Sequence, residues 1–194
     1  MKATYTTLSD PNLVKDLTTG AFGVLPTDTI YGVVAAAHSQ TAVAKLYALK
    51  RREKKPGTII AAKIEQLVEL GLKRKYLKVV EKYWPGPITV VVPTDNPTLS
   101  YLDQGVGSVA VRIVDDTELI NFLEQTGPLA TSSANMPGEP PANTAEEAAA
   151  YFGDQVDFYV DGGNLHGRKP STIVRVVDDD IEILRQGSLE INRS

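Results

Sequence analysis

Short β-branched runs alternate along this chain with apolar stripes of helical period, and glycine or proline punctuates most of the junctions. Leu13 and Leu17 share a face behind Pro11, with Gly20 beyond, so the spacing predicts a helix over 11–17 capped by Ser9 or Asp10. Val43, Leu46 and Tyr47 predict another over 42–50, behind Ser39 or Thr41. Further helices are expected over 64–70, stopped by Gly71; over 76–83, ended by Trp84-Pro85-Gly86-Pro87; over 118–124, behind Asp115 and Asp116; and over 145–152, behind Asn143 or Thr144. Strands are expected over 21–25, 58–62, 88–92, 109–114 and 156–160, with 173–177 and 181–185 folding back as a hairpin across a turn at 178–180. This order mixes βα units with hairpins. The expected fold is therefore α/β: an open, twisted, mixed sheet with packed helices, forming a single domain over 1–194.

Composition narrows the chemistry. With 194 residues, 42% hydrophobic, the chain can bury a substantial core. It has no cysteine, and its two histidines, His38 and His166, are far apart, so neither a disulfide framework nor a protein-held zinc site is expected. The N-terminus lacks the apolar stretch of a signal peptide, and no run approaches the roughly 18 apolar residues of a membrane span. A cytoplasmic, membrane-free protein is expected. Net charge is −4, yet Lys45 to Lys82 carries twelve basic residues against four acidic ones. The densest part is Lys50-Arg51-Arg52-Glu53-Lys54-Lys55-Pro56. A basic run at a helix end is commonly a solvated face that complements the helix dipole. Its segregation from an otherwise acidic chain suits a local anionic ligand, either phosphorylated or a short stretch of nucleic acid.

Polar groups also gather where apolar strands end. Thr27, Asp28 and Thr29 follow one buried run, and Thr131, Ser132, Ser133 and Asn135 follow another; each set reads as a turn or as ligand contacts. Ligands of α/β sheets bind beyond strand ends, so these are candidates for opposite sides of one cleft. Arg112 sits inside an apolar strand, where a charge either faces solvent or meets an anion. Arg185 ends another strand. The Gly-rich segment 161–167 reads as a surface loop. No Walker pattern, dinucleotide fingerprint or nucleophile elbow is present, and neither histidine has the context of a Ser-His-Asp triad. What remains is positioning and charge neutralisation by Lys, Arg, Ser and Thr.

Seven pieces in order, Pro26-Thr27-Asp28-Thr29-Ile30-Tyr31-Gly32, Lys50-x-Arg52, Trp84-Pro85-Gly86-Pro87-Ile88-Thr89, Ser108-Val109-Ala110-Val111-Arg112, Ser133-x-Asn135, Pro170-Ser171-Thr172-Ile173-Val174 and Leu184-Arg185-Gln186-Gly187, resemble the YrdC-like threonylcarbamoyl-AMP synthase family. The resemblance implies an enzyme that joins L-threonine, bicarbonate and ATP into threonylcarbamoyl-adenylate, releases pyrophosphate, and feeds tRNA threonylcarbamoyladenosine formation. It implies magnesium brought with ATP, no metal held by the protein, and separate tRNA-modifying transferase partners. By motif position it implies that Thr29, Arg112, Thr131 and Ser171 contact threonine. It likewise implies that Arg52, Lys55, Ser108, Ser133, Asn135 and Arg185 contact the nucleotide, with Lys50 and Arg52 as the catalytic pair. The segment Glu53-Lys54-Lys55-Pro56 is one residue shorter than the family pattern, so either Lys54 or Lys55 is the phosphate lysine; the threonine-contacting histidine that the family's longer members carry in the next strand has no counterpart in Ile59-Ile60-Ala61. Because the chain stops soon after Gly187, the short, single-domain form is expected. From a different class, an RNA-binding module would use the basic 45–82 segment with Tyr76, Tyr83 and Trp84 for stacking, making weak contact with RNA.

Overall fold

The structure, a computed structural model, describes residues 3–177 and 180–191. Its strands are Ala3–Tyr5 (β1), Phe22–Pro26 (β2), Tyr31–Ala36 (β3), Thr58–Ala61 (β4), Ile88–Pro93 (β5), Ser108–Ile113 (β6), Leu129–Ser133 (β7), Phe158–Val160 (β8), Thr172–Val177 (β9) and Asp180–Arg185 (β10). Its α-helices are Pro11–Thr18 (α1), Gln40–Leu49 (α2), Ile64–Leu70 (α3), Arg74–Val80 (α4), Ser100–Asp103 (α5), Thr117–Thr126 (α6) and Ala145–Phe152 (α7). The strands form one sheet in the order β1-β8-β2-β3-β7-β4-β6-β5-β9-β10. It is mixed, as expected: β4 runs parallel to β6 and β5 to β9, while β3–β7, β4–β7 and β5–β6 are antiparallel.

The caps follow from side-chain chemistry. Asp10, Ser39, Asp116 and Thr144 each accept a backbone N–H in the first turn of their helices, while Gly71 ends α3 in a left-handed conformation. The helix predicted over 76–83 begins at Arg74 and tightens into a 3-10 turn over Glu81–Tyr83. Neither β1 nor α5 was predicted, and β3 and β7 were foreseen only as the buried runs beside the polar segments at 27–29 and at Thr131. The predicted hairpin exists as β9–β10, but 178 and 179 of its turn lie outside the described residues.

Alternation along the strands makes two cores. One face carries Val24, Val33, Ile59, Val90, Val111 and Ala130 against α2, α3, α4 and α7. The other carries Leu25, Val34, Ile60 and Leu129 against Leu13 and Leu17 of α1 and Leu119, Phe122 and Leu123 of α6. Leu13 is fully buried, so its truncation to alanine costs about 2–5 kcal/mol.

The second face changes character along its strands. Toward one end Leu129 gives way to Thr131 and Ser133 on β7, Ile60 to Thr58 on β4, and Val34 to Gly32 on β3. The apolar ends lie under α1 and α6; the polar ends line a cleft.

Candidate active site

The cleft encloses about 660 Å³, including its open mouth. Among the described residues that line it are Arg52, Arg112 and Arg185, several hydroxyls, and no carboxylate. Three guanidiniums around one concavity attract an anion, since each fixed charge discourages its neighbours and invites a counter-charge. Arg185 shows this: burial first, then Arg112 and Arg52, pull its guanidinium down from its ordinary value.

Arg112 reaches the cleft from β6. Ser108, Ala110 and Arg112 share a strand face, opposite to core residues Val109, Val111 and Ile113. Its guanidinium lies 2.9 Å from Asp28 Oδ1, with both side chains 4% exposed, and donates to Thr29 Oγ1 at 3.2 Å. The contact to Asp28 is close but poorly aligned, so Asp28 Oδ1 and Arg112 Nε have no hydrogen-bond partner among the described residues. Burial pushes the Asp28 carboxyl above its ordinary value, and Arg112 opposes that rise. Thr27 ties the turn together: its hydroxyl donates to the Ile30 carbonyl at 2.7 Å and accepts the Thr29 N–H at 3.2 Å.

Lys50 and Arg52 arrive from the end of α2. Lys50, 7% exposed, donates to the Ser133 carbonyl at 2.8 Å, to Asn135 Oδ1 at 2.9 Å, and to the Asn135 carbonyl. Ser133 Oγ also donates to Asn135 Oδ1, at 2.7 Å. Burial, then the neighbouring Arg52, pull the Lys50 ammonium down to about 8. Three acceptors consume its three donors, so it is an ammonium at neutral pH. Arg52 Nη1 donates to the Lys55 and Pro56 carbonyls at 2.9 and 3.0 Å, and Nη2 to Ser132 Oγ at 3.0 Å. The chain wraps around this guanidinium. Across the cleft, Ser171 Oγ pairs with Thr89 Oγ1 at 2.7 Å, and Arg185 Nη2 donates to the Ser171 carbonyl at 2.8 Å.

Of the predicted site residues, Thr29, Arg52, Arg112, Thr131, Ser133, Ser171 and Arg185 line the one cleft, and the exits at Thr27 and Thr131 do meet there. Four are not among the lining residues. Lys50 and Asn135 stand behind the wall, bonded to each other. Lys55 is exposed and contributes its backbone to the Arg52 turn, as does Arg52's other partner Pro56; Lys54 is exposed as well. Ser108 lies two residues before Ala110 on the same strand face, about 7 Å farther along.

Sequence reasoning missed Gln104; it placed Ser132 and Asp28 only within the polar exits, as turn formers or ligand contacts, and saw neither the bond from Arg52 to Ser132 nor the pairing of Asp28 with Arg112. It also treated 161–167 as a plain loop, whereas Tyr31 pins it: the Tyr31 hydroxyl donates to Gly163 O at 2.8 Å and accepts Gly162 N–H at 2.9 Å. The basic segment is less of a patch than its sequence suggested. Lys63, Lys73 and Arg74 pair with Glu124, Asp95 and Glu65, and Lys50 and Arg52 turn inward. Nothing here favours the RNA-binding module.

A family model covering Sua5, YciO and YrdC, described as telomere recombination, matches residues 15–187. The chain belongs to the Sua5/YciO/YrdC family. Among curated Sua5/YciO/YrdC-type relatives, a Mycobacterium tuberculosis protein named putative threonylcarbamoyl-AMP synthase is 34% identical over 179 residues, 90% of this chain and 82% of that protein. One from Klebsiella pneumoniae subsp. pneumoniae, named threonylcarbamoyl-AMP synthase, is 36% identical over 168 residues, 84% and 87% of the two chains. Among solved structures, P. abyssi Sua5 complexed with L-threonine superposes with a TM-score of 0.81 at 26% identity; the match covers 96% of this chain and 57% of that one. E. coli YciO, at 20% identity and a TM-score of 0.80, shares the fold over 96% of both chains. The open mixed sheet is thus the Sua5/YciO/YrdC fold. No helix among the described residues is long and apolar enough to cross a membrane.

Proposed function

We propose that the chain is an L-threonylcarbamoyl-adenylate synthase, acting on L-threonine, bicarbonate and ATP and releasing pyrophosphate. The observation that carries this reading is the ring of Arg52, Arg112 and Arg185 around a hydroxyl-lined cleft with no carboxylate among its described lining residues. Such a site suits two anionic reactants, and the names of the relatives above supply the reaction. We place it in the cytoplasm, where its product would pass to a tRNA-modifying transferase.

Threonine's amino group, as the neutral amine, attacks the bicarbonate carbon; the new N–C bond forms as a C–O bond breaks, and water leaves to give a carbamate. One carbamate oxygen attacks the α-phosphorus of ATP, the new O–P bond forms, and the bond to the β-phosphate breaks with pyrophosphate leaving. The nucleophile is already an anion, so the protein need not supply a base; its task is orientation and charge neutralisation. In this scheme Arg112 offers a planar fork to the threonine carboxylate, with Thr29, Thr131 and Ser171 beside it. Arg52, Arg185 and Ser133 face the phosphates, Lys50 and Asn135 hold that wall from behind, and Ser108 and Lys54 or Lys55 lie along the route of the nucleotide. No group of three or more His, Cys, Asp or Glu side chains suited to a metal occurs among the described residues. In this reading magnesium would enter with ATP, held by the triphosphate.

The test is pyrophosphate release with ATP, bicarbonate and threonine. Threonine-dependent release is expected, and Arg52→Ala should lower kcat roughly 100-fold or more, as removal of a preorganised charge donor does. Release by the wild type without threonine, or none at all, would overturn the proposal.

A further inference from the structure

The turn that carries Arg52 holds backbone conformations that side chains rarely adopt: φ is 48° at Arg51 and 50° at Lys54. Such a turn needs outside support, and the end of α5 supplies it at two places. Gln104 Oε1 accepts the Lys55 N–H at 2.8 Å while its Nε2 donates to the Arg52 carbonyl at 3.1 Å. One carboxamide thus bridges both ends of the turn, in the single amide orientation that satisfies both groups. A second prop is Tyr47, whose hydroxyl donates to Leu102 O at 2.8 Å and accepts Gly57 N–H at 3.1 Å.

Gln104 is itself placed at a cost, at φ 53°. The preceding residue braces it, for the Asp103 carboxylate accepts the Gly105 N–H at 2.7 Å and the Thr94 hydroxyl. Arg52's orientation depends on the same turn, because both Nη1 hydrogens go to carbonyls of Lys55 and Pro56. If the turn opens, those acceptors leave and the guanidinium swings.

We propose that Gln104 is the positioning residue for Arg52, fixing the turn that aims its guanidinium at the phosphates of the nucleotide. This rests on the adenylating reading above. Gln104 touches no substrate; it acts through the backbone at 52 and 55, and its role is therefore specific to one half of the cleft. Arg112, Thr29 and Ser171, on the other side, are held by independent partners.

The experiment compares the wild type with Gln104→Met, which keeps the side chain's length but cannot bridge, and with Gln104→Glu, which keeps the acceptor for Lys55 N–H and loses the donor to Arg52 C=O. Calorimetry measures binding of magnesium-ATP and of threonine separately, steady-state kinetics gives each KM and kcat, and hydrogen exchange follows the Lys55 amide. Gln104→Met should bind ATP about tenfold more weakly, as loss of two hydrogen bonds implies. Its KM for ATP should rise, its threonine binding should stay within about twofold, its Lys55 amide should lose protection, and its melting curve should remain cooperative. Gln104→Glu should fall between the two. Unchanged ATP binding in a folded Gln104→Met, or equal weakening of ATP and threonine, would overturn the positioning role alone. A wild type that binds no ATP would overturn the adenylating reading and the proposal with it.

Discussion

Removing Arg112 separates what its ion pair does for stability from its proposed contact with threonine. Arg112 and Asp28 are nearly fully buried at 2.9 Å, so Arg112→Met leaves a carboxylate without its counter-charge in a poorly solvated place. Breaking such a pair from one side costs about 3–5 kcal/mol. For a protein of this size, each kcal/mol shifts the melting point by about 2–4 °C, so a drop on the order of 10 °C is expected at neutral pH. Burial already raises the Asp28 carboxyl and Arg112 opposes the rise; without Arg112 it climbs further. A carboxyl whose folded-state value lies above the unfolded one binds more protons when folded, so its contribution falls as pH rises through the folded value. The deficit of Arg112→Met relative to wild type should therefore shrink as pH is lowered from neutral toward the ordinary carboxylate range. Adding Asp28→Asn removes the stranded charge, and the double variant should recover most of the lost stability while still failing to bind threonine. Thermal melts between pH 5 and 8 and threonine calorimetry on the two singles and the double would check this. If Arg112→Met melts within about 2 °C of wild type, or the double is no more stable than Arg112→Met, the pair does not carry the energy assigned to it.

Further outcomes follow from the other supports of the cleft. Lys50, drawn down to about 8, loses a donor and its charge as pH rises through that value, so ATP affinity should fall between pH 7 and 9. Lys50→Met should bind ATP weakly at every pH with a flat profile, and calorimetry distinguishes the two. Gly57→Ala would place a Cβ 2.7 Å from the Thr131 carbonyl oxygen, so it should destabilise by about 1–3 kcal/mol in urea melts and raise the KM for threonine. Ser171→Ala deprives Thr89 of its hydroxyl partner but leaves the Ser171 carbonyl that orients Arg185, so threonine KM should rise about fivefold with ATP KM nearly unchanged.

The residues that were legible in the sequence are those whose chemistry is conspicuous where it stands. Arg112 inside an apolar strand had two readings, solvent or an anion, and the structure gives it an anion in Asp28 and a place at the cleft. The hydroxyl-rich exits at Thr27 and Thr131 met because β2 and β7 flank β3 and all three present their polar ends together. What escaped were contacts made to the backbone. Nothing about Gln104 in a polar stretch marks it, since a carboxamide that bridges 52 and 55 serves partners about fifty residues away, which no periodicity encodes. The strand β1 escaped for a related reason: three residues carry too little alternation to show, and only pairing with β8 defines it. The basic segment misled in the opposite direction, because linear counting cannot see Asp95 and Glu124 returning to cover Lys73 and Lys63.

In the proposed reaction the same distinction would divide the cleft between its two substrates. The groups that would meet ligands are ordinary in kind, guanidiniums and hydroxyls, and either half of the cleft could hold an anion. What differs is how each is held: Arg112 by a buried carboxylate on a neighbouring turn, Arg52 by carbonyls of its own turn, which α5 then braces. An arginine balanced by a carboxylate has part of its charge already answered, so it suits a monoanion such as an amino-acid carboxylate. An arginine held only by neutral carbonyls and a hydroxyl keeps its full charge for the more highly charged phosphates. Raising ionic strength should accordingly weaken ATP binding more steeply than threonine binding, and parallel salt titrations of the two affinities that ran with equal slopes would refute this division of the cleft.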